Sequence, residues 1–519
     1  MQVVQNKAIV LRTRTPHKLK DHGVEHKIIS EQEGIYEVAV RWTLEDSQKL
    51  AKIGAKEVPS PILRDYQWTG KLTPFAHQKE TAAFLSLRKK AFCFNEAGTG
   101  KTASVIWAAD YLLKQGVINR VLVICPLSIM KSAWQADLFK FAMHRSCSVA
   151  HGSSATRRKI IEAGCDFVII NFDGVAVVQQ EIANGGFDLI VVDEANAYKN
   201  AQTTRWKTLN KLVTPDTWVW MLTGTPAAQS PLDAYGLAKI VSPDRVPKYY
   251  GQYRDSVMYK LTQYIWKPKV NADKTVHNAL QPAVRFEKKQ CLDLPEVMYL
   301  DREAPLTPQQ EKYYKVLKKK MLIEAAGEQI TSVNAATNLN KLLQLSGGAV
   351  YTDTGEVVEF DVANRLNTVL EAIQESSNKV LVFVPFTHTI ELLKKFLDKN
   401  KVTSEIIAGS VSLNKRSSIF DAFQTKPDPR VLVIQPQAAS HGLTLTAADT
   451  IIWYAPVASV ETYLQANERI NRPGQKNAMT IIHIYGSEVE RRLYAMLQNK
   501  ILNHNKIVEL YNQEISTTA

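Results

Sequence analysis

Short apolar runs that alternate with helix-like stretches constrain the fold of this chain more than any other feature. Turn residues follow each run, and the runs fall into two sets, one on either side of a basic stretch. Buried parallel strands covered by helices on both faces give this pattern. The two sets therefore predict two similar α/β lobes. The runs are AFCFNE, RVLVICP, DFVIIN, FDLIVVDE and WVWMLTG in the first set, and KVLVFVP, SEIIAGS, RVLVIQP, TIIWYAP and MTIIHIY in the second.

The first 70 residues predict a small module that is separate from the lobes. Strands are expected at Ile9–Leu11 and Tyr36–Val40, and a helix is expected to begin near Thr43 and to end near Gly54. A connector that contains prolines and a glycine follows. We therefore divide the chain into an N-terminal α+β module at 1–70, a first lobe at 71–240, a basic, partly helical linker at 241–350 and a second lobe at 351–519.

Charge and cysteine content indicate which kind of partner the chain binds and in which cellular compartment it occurs. The chain has 64 Lys and Arg against 51 Asp and Glu, and 16 of these basic residues but only nine of the acidic ones lie between Asp244 and Lys320. Such a concentrated surplus favours a polyanionic partner, although a solvated basic surface gives the same count. The five cysteines form no C-x-x-C pair. Because neither a signal peptide nor a membrane-spanning run is found, we expect a cytoplasmic protein.

A glycine-rich segment after the first apolar run predicts a phosphate-binding loop. Residues 95–102 read NEAGTGKT and precede a helix-like stretch, with Asn95 where the consensus has glycine. In such loops backbone N–H groups surround the phosphates, the lysine reaches the outer phosphates and the hydroxyl holds Mg²⁺. The sequence therefore predicts that ATP and Mg²⁺ bind here, with Thr102 on the metal. The predicted contacts to the nucleotide are Ala97, Gly98, Thr99, Gly100, Lys101 and Thr102.

Two carboxylates end the run FDLIVVDE and predict the acidic part of the same site. Asp193 is expected to hold Mg²⁺ through water, and Glu194 to orient or deprotonate the attacking water. On its own such a pair is a weak signal, because adjacent Asp and Glu residues are common on protein surfaces. Its position downstream of a phosphate-binding loop makes the catalytic interpretation the stronger one.

Two arginines in the second set of runs predict a further catalytic contribution. Arg469 and Arg472 are three residues apart, hence on one face of an expected helix that a Pro-Gly pair ends. When the lobes close, such arginines can act as fingers that stabilise charge on the transferred phosphate. The alternative is a pair of solvated arginines that interact with Glu461 or Glu468.

The complete order of these motifs resembles that of superfamily-two helicases, closest to the Swi/Snf-related branch. The resemblance spans about residues 72–500 and implies two RecA-like lobes, with ATP and Mg²⁺ as cofactors and DNA held mostly through its phosphate backbone. Besides GTGKT and DEAN, it rests on PFAHQKETAAFL, VLVICPLSIMKSAWQADLFKF, FVIINFDGV, LTGTPAAQSPLDAYGL, LTPQQEKYYKVL, VLVFVPFTHTIELL, ASHGLTLTAADTIIWYAP and QANERINRPGQ.

The resemblance also assigns roles to individual residues. It implies that Gln78 contacts the adenine and that Gly442 and Gln465 contribute to the nucleotide site. Departures from the family pattern fall at coupling positions and leave strand separation open; they are Asn196, Gln229 or Ser230, Thr444 and Asn471. The candidate contacts to the nucleic-acid backbone, each of which could instead be an ordinary polar loop residue, are Ser128, Lys131, Thr387, Ser440 and Thr444.

Two further resemblances indicate which kind of DNA motor this is, one of the whole chain and one of its N-terminal module. The chain as a whole is similar to phage-encoded helicases that remodel forks and Holliday junctions, and YEVAVRW with LEDSQKLAKIGA resembles the HARP module of annealing helicases. We therefore expect an ATP-dependent DNA translocase or helicase that remodels branched or forked DNA in replication, recombination or repair, in the bacterial host cytosol if phage-encoded. The alternatives are an RNA- or nucleoprotein-remodelling ATPase and a DNA-binding scaffold with a dormant nucleotide site.

Overall fold

The chain divides into two compact units, residues 1–292 and 293–519. Within the described ranges, no helix combines the length and the apolar character needed to cross a membrane. The finer division at residues 70, 240 and 350 stays a prediction. The computed structural model describes residues 1–514 except 71, 228–229, 263–265, 292–293, 328–331, 352–356, 440–443, 501–505, 507–509 and 511–512, and omits the side chains of 322–334, 413 and 439.

The N-terminal module is a four-stranded antiparallel sheet with two helices. Its elements are β1 (Gln2–Val4), β2 (Ala8–Thr13), α1 (Pro16–Asp21), β3 (His26–Gln32), β4 (Ile35–Arg41) and α2 (Leu44–Lys52). The strand order is β1-β2-β4-β3. Ile9 lies opposite Val40, and both side chains are buried in the module's own core. The predicted strands and helix are confirmed, and the Thr43 hydroxyl caps α2 by accepting the N–H of Asp46.

The rest of the first unit is an α/β lobe. Its elements are α3 (Ile62–Asp65), α4 (Ala76–Ser86), β5 (Lys90–Cys93), α5 (Lys101–Lys114), β6 (Val121–Cys125), α6 (Ala136–Phe141), β7 (Cys147–Ala150), α7 (Ser154–Glu162), β8 (Phe167–Asn171), α8 (Phe172–Val177), α9 (Gln179–Asn184), β9 (Leu189–Asp193), α10 (Thr204–Leu212), β10 (Trp218–Leu222), α11 (Asp233–Val241), α12 (Tyr250–Val257), β11 (Met258–Lys260), β12 (Trp266–Pro268), α13 (Ala272–Ala279), β13 (Ala283–Val284) and α14 (Lys288–Cys291).

A seven-stranded parallel sheet organises this lobe, with strand order β13-β5-β10-β9-β6-β8-β7. Along β6, Val121 and Val123 belong to one apolar core and Leu122 and Ile124 to another. The sheet is therefore buried on both faces, which explains why its strands have continuous apolar sequences. All five predicted strands of the first set are confirmed. The two additional strands, β7 and β13, lack a signal because β7 is only partly buried and β13 has two residues.

The second unit contains a six-stranded parallel sheet. Its elements are β14 (Val297–Glu303), α15 (Pro308–Gly327), α16 (Ser332–Gly347), β15 (Ala349–Tyr351), β16 (Val357–Glu359), α17 (Ala363–Glu375), β17 (Lys379–Phe383), α18 (Thr387–Lys399), β18 (Ser404–Ile407), α19 (Leu413–Thr425), β19 (Val431–Ile434), β20 (Ala448–Trp453), α20 (Val460–Asn467), β21 (Met479–Tyr485) and α21 (Glu488–Gln498). The order β14-β21-β20-β17-β19-β18 confirms the second parallel lobe. β14 is an edge strand, and its mostly exposed side chains explain why no apolar run marks it.

The connector between module and lobe packs as part of the first lobe. Ile62 and Tyr66 are buried in the same core as α5. The Tyr66 hydroxyl donates a 2.6 Å hydrogen bond to the buried carboxylate of Asp110, and Trp107 Nε1 donates to the carbonyl of Thr69 over 2.9 Å. Burial raises the pKa of Tyr66, so this hydroxyl remains a donor at neutral pH. The lobe therefore depends on residues that precede its first strand.

This packing predicts that two N-terminal truncations differ in stability. Removing residues 1–57 keeps Ile62 and Tyr66, whereas removing residues 1–70 deletes both and leaves Asp110 without its tyrosine donor. Loss of two buried side chains should lower the free energy of unfolding of the first lobe by a further roughly 3 to 6 kcal/mol. Urea unfolding followed by far-UV circular dichroism measures the difference. Equal stability of the two truncations would contradict the packing.

Candidate nucleotide-binding site

Three neighbouring strands of the first lobe end in register at one edge of the sheet. Leu222 at the end of β10 lies opposite Cys93 of β5 on one side and opposite Asp193 of β9 on the other. The segments that follow these strands are the glycine-rich loop, the LTGTP turn and the DEAN turn. Ligands of parallel α/β sheets bind at the carboxyl ends of strands, so this edge is the candidate site.

The glycine-rich loop has the backbone of a phosphate cradle. Gly98 and Gly100 have φ values of +83° and +79°, which residues with a Cβ rarely adopt. Gly100 also leads directly into α5, whose N-terminus carries partial positive charge. The Lys101 ammonium donates hydrogen bonds to the carbonyls of Asn95, over 2.7 Å, and Glu96, over 3.1 Å. The lysine charge is therefore held across the mouth of the loop.

Helix α4 docks its N-terminal turn against this loop. The Thr99 carbonyl lies 2.8 Å from Nε2 of His77 and accepts a 3.2 Å hydrogen bond from Nε2 of Gln78. A Cβ on Gly100 would lie 2.0 Å from the Gln78 amide nitrogen. Gln78 therefore lies against the loop itself, and its predicted contact with adenine stays a prediction.

Asn95 explains the departure from the consensus glycine. Its buried amide donates to the Thr81 hydroxyl over 2.8 Å and accepts the backbone N–H of Phe286 over 3.0 Å. The next residue continues this link, because the Glu96 N–H donates to the Phe286 carbonyl and the Glu96 carboxylate accepts the Lys288 N–H. The segment after β13, which contains Phe286 and Lys288, thus supports the glycine-rich loop through its hydrogen bonds to Asn95 and Glu96. Nothing in the local sequence around Phe286 signals this role.

Asp193 is buried at the end of β9 with hydrogen bonds to both carboxylate oxygens. Oδ1 accepts the backbone N–H of Glu194, and Oδ2 accepts Nε1 of Trp134, each over 2.9 Å. Burial raises the pKa of Asp193, while the Trp134 hydrogen bond and the positive charge of Lys101 act in the opposite direction. The predicted metal ligand and the predicted phosphate lysine therefore influence each other. Trp134 was not among the predicted site residues.

The DEAN turn is joined to the LTGTP turn by Asn196, one of the departures from the family pattern. Glu194 has a left-handed backbone with φ of +51° and starts the turn at Ala195–Tyr198. The side chain of Asn196 donates to the Thr225 carbonyl over 3.1 Å. This hydrogen bond ties the two turns together.

The donor set fits Mg²⁺. Asp193 would supply carboxylate oxygen, and Thr102, in the first turn of α5, would supply a hydroxyl. Mg²⁺ prefers oxygen ligands and takes one or two carboxylates together with phosphate oxygens and water. A cluster of three acidic, histidine or cysteine side chains is absent from the described part of the chain, and a site of this kind does not require one.

The second-unit arginines do not lie on a helix, so that expectation was wrong. α20 ends at Asn467, and the chain then turns back on the segment before β20. The buried Arg469 accepts the N–H of Leu445 at its carbonyl, and Arg472 donates to the Thr444 hydroxyl over 3.2 Å. These contacts replace a further helical turn. The role of both arginines as fingers stays a prediction.

The remaining candidates are distributed over both units. Ser128 lies in a 3₁₀ turn at Leu127–Ile129, and the exposed Lys131 lies in the π-helix that follows it. Thr387 is exposed at the start of α18, and Thr444 is exposed before β20. Gln465 lies in α20, where its amide donates to Glu461 over 3.4 Å. Ser440 and Gly442, together with Gln229, lie outside the described residues.

Two parallel α/β lobes, the first with a glycine-rich loop beside a strand-end aspartate, define a two-lobed P-loop protein. A family profile described as "SNF2-related domain" matches residues 76–347, and one described as "Helicase conserved C-terminal domain" matches residues 363–474. The first match covers more than half of the chain. The chain therefore belongs to the SNF2-related family.

The chain is also similar to individual proteins. It is 26% identical to mouse "Chromodomain-helicase-DNA-binding protein 1-like" over 441 residues, which cover 80% of this chain and 47% of that protein. It is 26% identical to an "Uncharacterized ATP-dependent helicase" of Mycoplasma pneumoniae over 410 residues, 77% and 38% of the two chains. This chain thus spans less than half the length of either relative. The structure titled "Sulfolobus solfataricus SWI2/SNF2 ATPase core in complex with dsDNA" matches at 21% identity and a TM-score of 0.42, covering 83% of this chain and 92% of that one.

The environment of Asn95 predicts that restoring the consensus glycine destabilises the protein. Asn95→Gly would leave the Phe286 N–H without its buried acceptor and remove the contact with Thr81. We expect the free energy of unfolding of the first lobe to fall by about 2 to 4 kcal/mol. Urea unfolding provides the measurement. A variant as stable as the wild type would show that the asparagine does not brace the loop.

Proposed function

We propose that this chain is an ATP-dependent motor that moves along DNA and remodels branched or forked DNA during replication, recombination or repair. The observation that carries the proposal is the alignment of Lys101, Thr102 and Asp193 at one sheet edge, because these are the groups that Mg²⁺ and a triphosphate require. Membership of the SNF2-related family supports it, as does the basic surplus of the chain. The choice of branched or forked DNA as the substrate rests on the resemblance of the N-terminal module to the HARP module of annealing helicases.

In this proposal each residue has a separate task. Lys101 neutralises charge on the outer phosphates, and the loop N–H groups hold the phosphates against α5. Thr102 and Asp193 hold Mg²⁺, which offsets phosphate charge when bound. Glu194 orients the attacking water and accepts its proton. Asn196 then transmits the state of this turn to Thr225.

The nucleic acid that stimulates hydrolysis tests the proposal. ATP turnover is compared without nucleic acid and with linear duplex, single-stranded DNA, forked DNA and RNA. We expect duplex-containing DNA to stimulate turnover, with forks giving the largest effect at low concentration. Stimulation by RNA alone would select the RNA-remodelling alternative, and no turnover under any condition would select the dormant scaffold. The truncation of residues 1–57 should weaken the response to forks more than the basal turnover.

Glu194→Gln should stop turnover while nucleotide binding persists. The amide has nearly the shape of the carboxylate but cannot accept a proton, and Asp193 still holds the metal. We expect phosphate release to fall at least about 100-fold. The measurement combines phosphate release with retention of labelled nucleotide. Unchanged release would remove Glu194 from the mechanism.

The salt dependence of DNA binding tests the role of α15. The sequence places Lys315, Lys318 and Lys319 on one helical face, but Lys318 is buried and donates to Glu514 over 2.9 Å. Lys315 and Lys319 are exposed. Reversing these two charges should flatten the plot of log K against log salt, whose slope is about −0.9 per neutralised phosphate.

A matched control reverses two exposed lysines with the same spacing on α10, Lys207 and Lys211, a helix that carries no candidate nucleic-acid contact. This variant should keep the wild-type slope, because its change in net charge is the same and only the position differs. A wild-type slope in the α15 variant as well would place α15 away from the DNA.

A further inference from the structure

A buried tryptophan connects the segment of the candidate nucleic-acid contacts to the strand-end aspartate. After β6 the chain makes a 3₁₀ turn and continues as a π-helix at Met130–Gln135. π-helical turns are rare and frequently occur at functional sites. Trp134 in this turn is fully buried, and its Nε1 donates the 2.9 Å hydrogen bond to Oδ2 of Asp193.

The opposite side of the same turn faces solvent. Lys131, three residues before Trp134, is exposed. Ser128 is partly exposed, and its carbonyl accepts the Ser132 hydroxyl over 2.9 Å, which ties the 3₁₀ turn to the π-helix. The turn runs between β6 and α6, and Trp134 packs in the core to which both contribute. Lys131 and Trp134 are thus joined by a short segment that is packed and hydrogen-bonded.

The carboxylate of Asp193 has one donor from its own strand end and one from this turn. The Glu194 N–H that reaches Oδ1 belongs to the adjacent residue and moves with Asp193. Trp134 alone among these donors comes from another element. The orientation of the carboxylate relative to the glycine-rich loop therefore depends on where the π-helix lies.

We propose that Trp134 is a positioning residue that orients the Asp193 carboxylate for Mg²⁺. Through the π-helix, this orientation responds to nucleic acid bound at Lys131. The inference rests on the proposed function, because it takes Asp193 as the metal ligand and Lys131 as a nucleic-acid contact. Coupling of this kind is reciprocal, so nucleic acid should tighten the binding of Mg²⁺ with nucleotide, and the reverse.

The first arm of the test measures binding without turnover. A fluorescent ADP analogue is titrated with Mg²⁺ in the wild type, in Trp134→Phe and in the control Trp220→Phe. Trp220 is also fully buried and donates over 2.9 Å, but to the Arg88 carbonyl. We expect Trp134→Phe to raise the Mg²⁺ concentration for half-maximal binding about tenfold, and Trp220→Phe to leave it unchanged. Wild-type Mg²⁺ dependence in a folded Trp134→Phe variant would overturn the positioning role.

The second arm adds saturating double-stranded DNA and uses a surface variant. In the wild type, DNA should lower the Mg²⁺ concentration for half-maximal binding of the ADP analogue, and Lys131→Ala should lose this shift. If Trp134→Phe does not fold, this arm still tests the proposal, because Lys131 is exposed and its substitution removes no buried group. A full shift in Lys131→Ala would overturn the link. If DNA has no effect even on the wild type, the link fails, while the first arm still judges Trp134 alone and the comparison of ATP turnover with and without DNA judges the DNA motor.

Discussion

Backbone hydrogen bonding between β5, β10 and β9 fixes the position of every candidate catalytic group in the first lobe. Cys93, Leu222 and Asp193 lie on one line because the three parallel strands pair in register. A shift of one residue in the pairing would point the Asp193 side chain into an apolar core and would point an apolar neighbour toward the site. Continuous burial of these strands on both faces makes such a shift costly. The chemistry of the site is therefore specified by the same packing that specifies the lobe.

Residues from distant parts of the chain brace the glycine-rich loop once that register is set. His77 and Gln78 hold the loop at the Thr99 carbonyl. Asn95 and Glu96, at its other end, hold it to the segment after β13. Such contacts pre-organise the loop, which reduces the ordering cost when phosphates bind. The asparagine at the consensus glycine position is thus part of the site's construction.

The sequence predicted the features that burial and local geometry determine, and missed those that depend on the assembled fold. The ten apolar runs all form strands, and the spacing of GTGKT after β5 locates the loop, because both signals are local. Trp134 and Asp193 are 59 residues apart, and Asn95 and Phe286 are 191 apart, so only the fold brings each pair together. The helix expected through Arg472 ends instead at Asn467, and Arg469 and Arg472 make contacts with Leu445 and Thr444 that no local pattern signals.

Hydrolysis of ATP in the presence and absence of DNA, with a paired lysine substitution on α5, tests the account most directly. Lys101 begins this helix at the glycine-rich loop, and the exposed Lys114 ends it. We predict that Lys101→Ala abolishes DNA-stimulated turnover, because the phosphates lose their counter-charge, whereas Lys114→Ala retains it. Normal hydrolysis by Lys101→Ala would contradict the placement of the nucleotide at this edge of the sheet.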